Sequence, residues 1–117
     1  MKTKNLVIAA FMIMGVILIS TFSSCTKPNG TVTFWTNTAD GVGFVTVTIN
    51  GTNTNITSDY SSTPSCSANG TATFSLAEGT YNYTAAETTT GTNGTMDTWS
   101  GSVTVTSNGC LTMNLYD

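Results

Sequence analysis

The sequence predicts an all-β domain. About seven short strands would form an antiparallel β-sandwich, preceded by an N-terminal signal helix. Three observations carry this. Apolar residues alternate with Thr, Ser and Asn at a period of two. Asn-Gly and Ala-Glu-Gly groups punctuate the alternating runs, as hairpin turns require. Thr, a β-branched residue favoured in strands, is the most abundant residue after position 24.

In chain order, Val32 and Phe34 alternate with Thr31 and Thr33 and give a first strand. Val45, Val47 and Ile49 alternate with Phe44, Thr46 and Thr48 and give a second. Asn50-Gly51 follows as a hairpin turn, since both residues accept positive φ, and a short strand around Ile56 pairs back. Residues 58–70 read as a polar loop containing Pro64, Cys66 and Asn69-Gly70. Ala72, Phe74 and Leu76 alternate next, Ala77-Glu78-Gly79 turns the chain, and Tyr81, Tyr83 and Ala85 point inward. Residues 88–95 form a second polar loop. Trp99, Val103 and Val105 mark another strand, with Gly101 as a candidate bulge. Ser107-Asn108-Gly109 turns into a last strand, on which Leu111, Met113 and Leu115 alternate with Thr112, Asn114 and Tyr116. One face of each strand needs an opposing sheet to cover it, which makes the sandwich.

The 117 residues allow one domain. With three Lys, no Arg, no His and six acids, clustered cations for nucleic acid are missing. The absent His also removes the commonest general base and metal ligand. From Cys25 to Asp117 there are 24 Thr, 9 Ser, 10 Asn and 10 Gly, against 14 Val, Ile, Leu and Phe. So few apolar residues can signal disorder. Their periodic placement argues for a fold instead. One Lys against six acids gives this segment a charge of −5.

Residues 1–24 read as an export signal. Lys2 and Lys4 open it, and fourteen uncharged residues, Leu6 to Ile19, follow. At about 1.5 Å per residue that run spans roughly 21 Å as a helix, short of the ~30 Å hydrocarbon core. The alternative is an uncleaved membrane anchor. Thr21-Phe22-Ser23-Ser24-Cys25 resembles the lipobox of bacterial lipoproteins, with Ser23 and Ser24 as the small residues. Phe22 stands where Leu is usual. The resemblance implies that Cys25 is lipidated and becomes the mature N-terminus, with residues 25–30 as a tether and 31–117 as the domain. Thr26, where an Asp would favour inner-membrane retention, implies the outer membrane of a cell envelope. The alternative is an ordinary signal with a structural Cys nearby.

With Cys25 acylated, Cys66 and Cys110 remain as an even number in an exported chain, and a disulfide between them is expected. A core this thin benefits from such a staple. Two unpaired thiols are the alternative. A redox-active pair has no Cys-x-x-Cys spacing or basic neighbour to support it.

Gly70-Thr-Ala-Thr-Phe-Ser-Leu-Ala-Glu-Gly-Thr-Tyr-Asn-Tyr-Thr-Ala85, followed by Trp99-Ser-Gly-Ser-Val-Thr-Val105, resembles the carboxypeptidase-regulatory-like and PEGA-type domains. Val45-Thr-Val-Thr-Ile-Asn-Gly51 is similar to their opening hairpin. The resemblance covers roughly 42–117 and implies a prealbumin-like or Ig-like sandwich, with Gly79 at a turn and Phe74 and Tyr81 in the core. It implies no activity, and residues 58–69 and 88–95 depart from the family pattern.

Trp35, Tyr60 and Trp99, with Tyr81, Tyr83 and Tyr116, are candidates for a sugar-stacking surface. Trp35 is out of phase with Val32 and Phe34, which turns it outward; core or rim packing is the plainer role for the others. The acids Asp40, Asp59, Glu78, Glu87, Asp97 and Asp117 stand singly, as turn formers rather than a calcium loop. Asn29, Asn50, Asn55, Asn69, Asn82 and Asn93 begin Asn-x-Ser/Thr triplets, by-products of composition in a lipobox chain. No activated nucleophile is visible. The expectation is therefore a lipid-anchored, non-enzymatic binding or structural module, with no cofactor, metal or catalytic residue. It would meet the membrane through its lipid and take a glycan or protein partner. The alternatives are a carbohydrate-binding accessory lipoprotein, or an enzyme inhibitor displaying loop 58–70.

Overall fold

The structure, a computed structural model, describes residues 26–37, 44–90 and 94–115. Residues 1–24, read above as an export signal, Cys25, Asp40, Asn93, Tyr116 and Asp117 lie outside the described residues. The described chain is all-β, with eight strands: β1 (Gly30–Asn37), β2 (Val45–Ile49), β3 (Thr52–Ile56), β4 (Asp59–Tyr60), β5 (Ala72–Leu76), β6 (Gly79–Glu87), β7 (Thr98–Val105) and β8 (Cys110–Leu115).

One sheet has the order β3-β2-β6-β7, antiparallel throughout. Asn50 and Gly51, at φ 51° and 74°, close the two-residue β2–β3 hairpin with Ile49 opposite Thr52. Both central residues of such a turn need positive φ, which Asn tolerates and Gly adopts freely. The other sheet is built on β1. β8 pairs with it in parallel from Thr31 to Thr36, while β5 pairs antiparallel from Gly30 to Phe34. β4 pairs in parallel at Thr36 and Asn37. A strand has two hydrogen-bonding edges, so β5 and β4 share, end to end, the edge that β8 leaves open.

The chain departs from the sequence expectation at two points. The sheets are not wholly antiparallel: β1 and β8, the two ends of the domain, run the same way. Parallel neighbours need a long crossover, and the whole intervening chain supplies it. Nor is Gly101 a bulge. It pairs with Tyr83 inside an unbroken β6–β7 ladder from Gly79–Val105 to Ala86–Thr98. A side chain at Gly101 would place its Cβ 3.0 Å from the Tyr83 ring. The glycine clears space for an aromatic, not for an extra residue.

The sheets pack face to face through a single apolar layer, a β-sandwich-like arrangement. Val32, Phe34, Ala72, Phe74 and Leu115 come from one sheet; Val45, Val47, Ile49, Ile56, Ala85, Val103 and Val105 come from the other. Phe34 lies at the centre, edge-on to Phe74 at 6.0 Å and tilted against Tyr83 at 4.8 Å. Leu76, Tyr81, Tyr83, Trp99, Leu111 and Met113 pack around this core, half-buried.

β1 is unusual in being buried on both faces. Val32, Phe34 and Thr36 face the core; Thr33 and Trp35, of opposite phase, are buried too. Over Thr33 lies the segment between β4 and β5. Cys66 is disulfide-bonded to Cys110 at the start of β8, with 6.2 Å between Cα atoms. The bridge carries this segment across the outer face of β1.

Candidate functional site

The roof over β1 is held by hydroxyls as well as by sulfur. Ser67 N–H donates to Thr33 Oγ1 at 3.1 Å, and Thr33 Oγ1 lies 3.6 Å from Cys66 Sγ. Thr33 and Thr73 hydroxyls share a 3.2 Å bond, as do those of Thr71 and Thr73; Thr71 Oγ1 donates to the Ala68 carbonyl at 2.6 Å. A buried polar group is costly unless paired, so this chain lets Thr fill a covered face without loss. The segment is also pinned at its ends. Thr57 N–H and Ser58 N–H donate to the Gly70 carbonyl, and the Tyr60 hydroxyl donates to the Asn69 carbonyl.

The three candidate stacking residues fall in different settings. Trp35 points away from Val32 and Phe34, as its phase predicts, yet only 6% of its surface is exposed, on the face of β1 where Cys66 and Ser67 cover Thr33. Tyr60 is half-buried on β4, its hydroxyl engaged. Trp99 is half-buried on β7 opposite Ala85 and packs against the core. Trp35 therefore lies outside the β1 sheet and Trp99 inside the sandwich. The fold does not gather the two indoles on one open face.

An open depression of about 380 Å³ lies on the outer surface of the β3-β2-β6-β7 sheet. The register builds it. Thr46, Ala86 and Thr98 line up across β2, β6 and β7, and Thr48, Thr84 and Ser100 form the next row. Thr46 and Thr48 donate to Asn55 and Asn53 Oδ1 at 2.8 and 2.7 Å. No charged side chain lines the depression, and Trp99, whose side chain packs against the core, only borders it. The outward phase of these Thr residues is plain in the sequence, but their alignment depends on register, so their grouping was not foreseen.

A second feature gathers at the end of the sandwich where β2 and β7 start and β6 stops. Thr88 N–H and Oγ1 donate to the Phe44 carbonyl, and Phe44 N–H donates to Thr89 Oγ1. Glu87, buried, accepts from Asp97 N–H at 2.8 Å, and Glu87 N–H donates to the Asp97 carbonyl. These bonds close the 88–97 connection. Phe44 beside it and Met96 within it are 54% and 58% exposed, the large apolar side chains left open to solvent among the described residues.

The remaining acids have local partners. Thr36 Oγ1 donates to Asp59 Oδ1 at 2.8 Å, and Glu78 pairs with Lys27 at 2.9 Å. Among the described residues no three acids or Cys converge as a metal site would require. No helix among the described residues is long and apolar enough to cross a membrane. Comparison with protein-family models, with curated proteins and with solved structures finds no match to this chain.

Proposed function

We propose that this chain is a lipid-anchored cell-envelope protein whose prealbumin-like sandwich serves as a non-enzymatic binding or structural module, carried on the outer membrane. The observation that carries this reading is the Cys66–Cys110 disulfide. Disulfides persist in oxidising compartments outside the cytosol. The pairing also leaves Cys25, the lipobox cysteine, as the one sulfhydryl to be acylated. Phe74 in the core, and Tyr81 packed against it, support the family resemblance. The absence of His in the sequence, with Lys27 held by Glu78, supports a role without acid–base catalysis.

The test is metabolic labelling with a fatty-acid analogue. Label should enter the wild-type protein and be lost in Cys25→Ser. Equal labelling of both overturns the anchor.

A second reading is favoured by the depression on the β3-β2-β6-β7 sheet. Its uncharged hydroxyl rows, open on the outer face of the sheet, suit a neutral glycan better than the covered Trp35 does. Glycan-array binding lost in Thr84→Lys but kept in Thr104→Lys would establish it. Binding that survives Thr84→Lys would remove it.

A further inference from the structure

The residues just after Cys25 do not hang free. Lys27 Nζ pairs with Glu78 Oε2 at 2.9 Å. Ser107 Oγ donates to the Pro28 carbonyl at 2.8 Å. Asn29 donates through Nδ2 to Ser75 Oγ at 3.3 Å, and its carbonyl accepts from Asn108 N–H at 3.3 Å. Thr31 N–H then donates to the Gly109 carbonyl at 2.8 Å as β1 begins. Three successive residues thus dock onto one end of the sandwich, made by the β5–β6 turn at 77–78 and the β7–β8 turn at 106–109. The exposed ion pair alone is worth little. Its effect here comes from acting in series with four hydrogen bonds on one short strap.

From this we infer that the anchor fixes the orientation of the domain, with turns 77–78 and 106–109 seated against the lipid headgroups. The inference rests on the acylation of Cys25 proposed above. Only Thr26 separates Cys25 from docked Lys27, and two peptide steps reach about 7 Å. A lipidated Cys25 therefore holds this end of the sandwich at the membrane surface, with almost no length left for tumbling. The chemistry of this end fits headgroups. Lys27 and Glu78 offset each other, and Ala77, Ser107, Asn108 and Gly109 are small or neutral, so nothing there must insert or be repelled.

The opposite end follows from the strands. β6 starts at Gly79 beside the docked turn and runs nine residues to Glu87, about 26 Å at some 3.3 Å per step. Phe44 and Met96 sit at that far end. They are held out in the aqueous phase, away from the bilayer that carries the protein.

The experiment uses the full-length acylated protein in phosphatidylethanolamine–phosphatidylglycerol vesicles, with and without a headgroup-nitroxide lipid. A Trp is added at the docked end in Ala77→Trp or at the far end in Thr90→Trp, both exposed positions. Trp35 and Trp99, toward the far end, supply the internal reference. Added emission from Ala77→Trp should be largely quenched, and that from Thr90→Trp should be unchanged. A flexible Gly-Ser insertion between Thr26 and Lys27 should abolish the contrast. Equal quenching of both variants in a vesicle-bound, acylated protein overturns the orientation while sparing the anchor. Contrast that survives the insertion overturns the strap as its cause. A protein whose N-terminal peptide carries no acyl mass, and which does not bind vesicles, overturns anchor and orientation together.

Discussion

Thr in this protein has two lives, and position decides between them. Thr33 is fully buried, and its hydroxyl accepts the Ser67 N–H while touching Thr73. Thr48 is only half-buried, and its bond to Asn53 lies at the solvent face. Thr33→Val keeps the shape but removes a fully buried hydroxyl that bonds Ser67 N–H and Thr73, and should cost about 1 kcal/mol. Thr48→Val should fall within about 0.5 kcal/mol of wild type. Urea midpoints of the two variants measure the difference. Equal midpoints would mean that water enters the roof and satisfies Ser67. None of this was legible in advance. Alternation says that Thr33 points away from Val32 and Phe34, but not that a polar segment from elsewhere will cover it. Trp35 was opaque for the same reason: its outward phase was readable and its burial was not.

At the scale of elements, the strands were legible because each carries its own period-two signal and turn punctuation. β2 and β6 have the cleanest alternation and the cleanest buried-exposed pattern. β4 is not legible, because Asp59-Tyr60 is two residues with no pattern to read. Partnership between strands was invisible, since period fixes faces and says nothing about neighbours; hence the parallel β1–β8 pair. Turn chemistry is local and gives the sharpest expectation. Asn50, at φ 51°, should lose about 1 kcal/mol on substitution by Ala, through left-handed strain. Asn50→Gly should be close to neutral, as read by thermal unfolding. In the β6–β7 ladder, Gly101→Val should cost about 1–3 kcal/mol by crowding the Tyr83 ring. Combining it with Tyr83→Leu should recover part of that loss, a coupling that a double-mutant cycle resolves.

The whole molecule rests on a thin core, one layer of mostly Val-sized residues around Phe34, so its stability depends on what restrains the unfolded chain. The Cys66–Cys110 bridge joins residues 44 apart in sequence. By loop-closure entropy, losing it should cost roughly 4 kcal/mol. The bridge is legible from the even number of cysteines left once Cys25 is read as lipidated; that it also roofs β1 is not. That second role makes two outcomes separable in Cys66→Ala/Cys110→Ala. If the hydroxyls hold the roof without the bridge, the urea midpoint falls while Trp35 stays covered in the native baseline. If the roof needs the bridge as well, hydrogen exchange at residues 65–68 rises well below the midpoint. Trp35 emission, read in a Trp99→Phe background, then shifts to the red before global unfolding. The hydroxyl chain through Thr33, Thr73 and Thr71 still ties the segment down in that variant. We therefore expect the first outcome for the disulfide variant alone. The early red shift should appear once Thr33→Val is added, because sulfur and hydroxyls hold the same cover by independent means.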